Sequence, residues 1–69
     1  MKRIELNGRQ LPTVKRIEVR NEGHLLEVLR SLGIKLAAGE SSEIVNWFVK
    51  AGPLDKIYLK NVSIKILYN

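Results

Sequence analysis

Residues 2–6 alternate strictly, with Ile4 and Leu6 on one side, Arg3 and Glu5 on the other, and Asn7-Gly8 following at once. A two-residue period marks a strand with one face against a core. Asn-Gly readily supplies the two positive φ angles of a type I′ turn, so a hairpin is expected there, with the return strand beginning near Arg9. That return passes through Pro12, which has no N–H to donate and belongs at an edge or a bulge. It then alternates cleanly from Val14 to Arg20.

After Asn21-Glu22-Gly23 the period changes. Leu25, Leu26, Val28, Leu29 and Leu32 recur at helical spacing, Asn21 suits the N-cap, and Gly33-Ile34 suits a left-handed stop with an apolar contact just beyond it. His24, Glu27, Arg30 and Ser31 form the solvated side of this first helix. Residues 34–40 read as a loop, and Ser41 or Ser42 as the cap of a second helix, with Glu43 near the positive end of its dipole. Ile44, Val45, Phe48 and Ala51 fall together at about 100° per residue, with Trp47 and Val49 on opposite flanks. The apolar arc widens to roughly 200°, more than contact with one core requires. Gly52-Pro53 ends the helix.

Two further strands are predicted, Lys56 to Lys60 and Val62 to Tyr68, joined by a tight turn around Asn61. The order is ββααββ. Both hairpins and both helices have one apolar side to hide, which predicts a small two-layer α+β domain with an antiparallel sheet of about four strands and two helices on one face. At 69 residues the chain is read as a single domain. Lys15-Arg16-Ile17-Glu18-Val19 nearly repeats Lys2-Arg3-Ile4-Glu5-Leu6, but half-buried strands with charged outer faces converge on this pattern without duplication.

The candidate chemistry is sparse. One histidine and no cysteine cannot supply a structural zinc site, and His24 at a helix start reads as a surface or capping residue. Most carboxylates sit beside Lys or Arg, which keeps them ionised. The five glycines stand singly at expected turns and caps, not in a phosphate-cradling cluster. Residues 36–42 lead into a helix N-terminus that could hold an anion, as any such terminus can. No catalytic, cofactor or metal residue is assigned, and a non-enzymatic protein without a cofactor is expected. No apolar run approaches the ~20 residues that span a bilayer, and nothing reads as a signal peptide, so a cytoplasmic protein without a membrane partner is expected. Without an export signal, the sequon Asn61-Val62-Ser63 carries no argument.

Charge changes the picture more. Twelve Lys and Arg against seven Asp and Glu give +5, unevenly spread: residues 1–20 hold six basic and two acidic groups, 21–43 two and four, and 44–69 four and one. The strands are basic and the helical middle is mildly acidic. If Ile4, Leu6, Ile17, Val19, Ile57, Leu59, Ile64 and Ile66 face the helices, alternation sends Arg3, Arg16, Arg20, Lys56, Lys60 and Lys65 to the opposite face with Glu5, Glu18, Tyr58 and Leu67. Such a face can track a phosphate backbone and let a base stack on Tyr58. The first expectation is therefore an accessory nucleic-acid-binding protein. A wet sheet face also needs long polar side chains for solubility alone. The alternative is a protein-interaction module, either a homodimer or a small inhibitor of an acidic target, using the second helix around Trp47 and Val49.

Overall fold

β1 (Lys2–Gly8) and β4 (Val62–Tyr68), from the two ends of the chain, lie side by side at the middle of a four-stranded antiparallel sheet in the computed structural model, which describes residues 1–9 and 11–68. β2 (Lys15–Val19) flanks β1, and β3 (Lys56–Leu59) flanks β4, giving the order β2-β1-β4-β3. Between β2 and β3 in sequence come α1 (Glu22–Ser31) and α2 (Ala38–Lys50), so the architecture is the ββααββ domain that the hydrophobic pattern predicts. Ile4, Leu6, Val19, Val62, Ile64 and Ile66 point inward and are buried against Leu25 and Leu29 of α1 and Ile44 and Phe48 of α2.

Asn7-Gly8 does not make the first turn. Both residues remain in β1, where Asn7 pairs with Ser63 and Gly8 with Val62, and β2 does not begin until Lys15. Gln10, within the expected return strand, lies outside the described residues. The glycine serves a close approach instead: a Cβ at Gly8 would collide with the Asn61 carbonyl oxygen and stand 2.9 Å from Val62 Cα. The tight turn with positive φ falls at the other hairpin, where Lys60 (φ 53°) and Asn61 (φ 62°) link the paired Leu59 and Val62.

α1 starts and stops as its sequence predicts. Asn21 Oδ1 accepts from the His24 N–H at 2.9 Å, Gly33 adopts φ 84°, and the N–H groups of Gly33 and Ile34 donate back to the Arg30 and Leu29 carbonyls. That pair of bonds is the Schellman stop, with Ile34 buried beyond it. α2 begins earlier than expected, at Ala38. Ser41, Ser42 and Gly39 lie inside it, because Glu40 folds back to accept from the Ala37 N–H at 2.9 Å and stabilises the first turn without a serine cap.

The other end of α2 is closed by Lys2. Alternation sends this side chain inward with Ile4 and Leu6, and its ammonium donates to the carbonyls of Phe48 and Ala51 (2.8 Å for the latter) and lies 4.9 Å from the Phe48 ring centroid. It satisfies orphan carbonyls and places positive charge at the negative end of the helix dipole. Lys2→Met should lower the unfolding free energy by about 1–2 kcal/mol in urea denaturation. Gly8→Ala should cost a similar amount or more, because the obstructing atoms are backbone and cannot rotate away. An unchanged midpoint for either variant would contradict the corresponding contact.

Candidate nucleic-acid interface

The register of the sheet arranges the outward side chains in rows. Arg16, Glu5, Lys65 and Lys56 are successive cross-strand partners across all four strands. Beside them run Asn7, Ser63 and Tyr58 on one side and Glu18, Arg3 and Tyr68 on the other. Residues directly opposite one another share a face, so the face carries four cations, two carboxylates and two tyrosines. Tyr58 is 68% exposed and Tyr68 51% exposed.

The carboxylates sit on the β2–β1 side. Glu5 receives Arg16 Nε at 3.1 Å and Lys65 Nζ at 3.9 Å, and Glu18 lies 3.9 Å from Arg3. Lys56 has no carboxylate within salt-bridge distance among the described residues, and its cross-strand partner is Lys65. The positive excess is therefore concentrated on the β4–β3 side, next to Tyr58.

Two of the basic residues assigned to this face from alternation lie outside the paired strands. Lys60 occupies the turn between β3 and β4, and its ammonium lies 3.4 Å from Glu40 in the first turn of α2. Arg20 lies beyond the end of β2, in the approach to α1, where its backbone N–H donates to His24 Nδ1 at 3.1 Å. Arg3, Arg16, Lys56, Lys65 and Tyr58 are brought together by the register, which includes neither Lys60 nor Arg20. Tyr68 joins them although strict alternation from Ile64 and Ile66 would send it inward. A register shift between Arg3 and Ile4 sets Tyr68 opposite Arg3.

Trp47 and Val49 do not form one surface. Trp47 is half-buried against the core cluster, and Val49 is 57% exposed on another side of the same helix. Among the described residues no group of three His, Cys, Asp or Glu side chains could hold a metal ion, and no helix is long and apolar enough to cross a membrane. The start of α2, where a helix would attract an anion, is engaged by the protein's own Glu40 carboxylate. The chain matches no protein-family model, no curated protein and no solved structure.

Glu40 makes one further property measurable. The Ala37 N–H it accepts from, and the nearby Lys60 ammonium, hold its carboxyl below the ordinary glutamate range against the opposing effect of burial. A group depressed on folding contributes stability above its unfolded pKa and loses it as pH falls through the folded value. Glu40→Gln should therefore melt below the parent protein at pH 7, and the gap should close as pH is lowered from about 5 to about 3. A gap that stays constant in thermal melts would show that the ionised carboxylate contributes nothing.

Proposed function

We propose that this protein is a non-enzymatic accessory protein that binds nucleic acid through the open face of its sheet, in the cytoplasm. The observation that carries the reading is the pair of exposed tyrosines on a face with twice as many cations as carboxylates. An aromatic ring of some 150–250 Å² left in water forgoes the burial that would stabilise the fold, so two on one charged face favour an external partner with flat rings and negative charge. Nucleic acid offers both. The cysteine-free composition is compatible with a reducing compartment.

A protein-interaction module built on α2 draws less support. Trp47, its intended anchor, packs against the core, and Val49 alone is a small exposed residue such as any surface carries.

Binding through phosphates weakens steeply with salt. With four cations on the face, the logarithm of the association constant should fall against the logarithm of salt concentration with a slope no steeper than about −3 to −4. Replacing Arg3, Arg16, Lys56 and Lys65 together by Gln should abolish binding in fluorescence anisotropy with labelled oligonucleotides, in a variant shown to be folded by circular dichroism. No detectable binding of the parent protein at low ionic strength, or full retention by the variant, would overturn the reading.

A further inference from the structure

The open face is electrostatically divided. On β2 and β1 each cation has a carboxylate neighbour, Arg16 with Glu5 and Arg3 with Glu18, so that half is close to neutral. On β4 and β3 the outward charged residues are Lys65 and Lys56, with no acid on either strand. They are direct cross-strand partners, and like charges so placed repel at a Cα separation of about 5 Å. Glu5 offsets this only in part, since it lies on the far side of Lys65 and also receives Arg16. The arrangement lacks an anion at the β4–β3 side. Two residues further along β3, Tyr58 presents its ring, with the hydroxyl 3.5 Å from Asn61 Oδ1 at the hairpin turn.

The shape of the surface decides what kind of nucleic acid carries that anion. Four strands at about 4.8 Å spacing span roughly 14 Å between the outer backbones before side chains are added. The DNA major groove is about 12 Å wide and takes a helix or a two-stranded ribbon. β4 cannot act as half of a free ribbon, because β1 pairs along its other side. A duplex can therefore touch this face only through its backbone, and its bases stay stacked away from Tyr58. An unpaired strand can set a base on the ring and a phosphate between the lysines.

Resting on the nucleic-acid reading above, we infer that the protein is a single-strand binder whose primary contact is the β3–β4 hairpin, with Tyr58 stacking a base and Lys56 and Lys65 together holding an adjacent phosphate. The β2–β1 half, its charges already paired, is a flank of the site.

Fluorescence anisotropy at low salt with labelled oligo-dT of twelve nucleotides, a twelve-base-pair duplex and poly-glutamate separates the outcomes. The parent protein should bind the single strand at least about tenfold more tightly than the duplex and should bind poly-glutamate weakly. Tyr58→Ala should weaken single-strand binding at least about fivefold, whereas Tyr58→Phe, which keeps the ring, should not. Lys56→Gln with Lys65→Gln should weaken it at least about tenfold, and the charge-neutral pair Glu27→Gln with Arg30→Gln, exposed on α1 away from the open face, should leave it within about twofold. Tyr58 and both lysines are partly or fully exposed, so each variant should fold, which thermal melts check. Equal or tighter duplex binding, or indifference to Tyr58→Ala, would overturn the single-strand inference and leave the nucleic-acid reading standing. Poly-glutamate binding as tight as oligo-dT would show a face for acidic polypeptides and overturn the inference. No binding to either nucleic acid would remove both readings.

Discussion

The pairing of β1 with β4 is the contact on which the other features depend. It brings together segments from opposite ends of the chain, so its loop-closure cost is met only when the two strands bury apolar surface together. Ile4 opposite Ile66 and Leu6 opposite Ile64 do this, each buried to within 2% of full enclosure. Every other element is then placed by reference to this pair. β2 and β3 become the edges, α1 and α2 close over the inward residues, and Lys2, in phase with Ile4, reaches the end of α2. The same register decides which outward residues become neighbours. A slip of one residue would exchange the two faces and send Arg3 and Lys65 into the core.

Much of the fold was legible because alternation and helical spacing are strong signals when only one side of each element is apolar. The exceptions arose where a residue served a distant part of the chain. Asn7-Gly8 has the chemistry of a turn, but Gly8 is needed where the start of β4 crosses it, and no local reading of residues 2–15 contains that information. Glu40 caps α2 through its own side chain, so neither Ser41 nor Ser42, the expected caps, was required. Lys2 was legible and overlooked. Its even position put it on the inward side, but a lysine there makes sense only once the carbonyls of α2 are known to lie above it.

The candidate site was legible to the extent that it lies on regular strand. Arg3, Arg16, Lys56, Tyr58 and Lys65 hold their predicted places because each is a paired strand residue whose register matches the alternation. Lys60 and Arg20 fall outside the paired register because each lies just past a strand end, at a turn or in the approach to a helix. Tyr68 was missed for the converse reason. One surplus residue in β4 near Arg3 reverses its side, and nothing in Ile64-Lys65-Ile66-Leu67-Tyr68 announces the surplus.

The division of charge across the sheet bears on whether the basic face serves solubility alone. Lysine on an edge strand discourages a second sheet from pairing there, and this accounts for Lys56 on β3. It does not account for Lys65, because β4 is an interior strand with both sides already paired. Nor does it account for Tyr58, whose large exposed ring on the same edge strand works against such protection. A design for solubility alone would also interleave acids on β3 and β4 as β1 and β2 do, lowering the repulsion between Lys56 and Lys65. That repulsion is borne at one place on the sheet, beside an exposed aromatic ring. An anion joined to a flat ring relieves the repulsion and covers the ring in a single binding event.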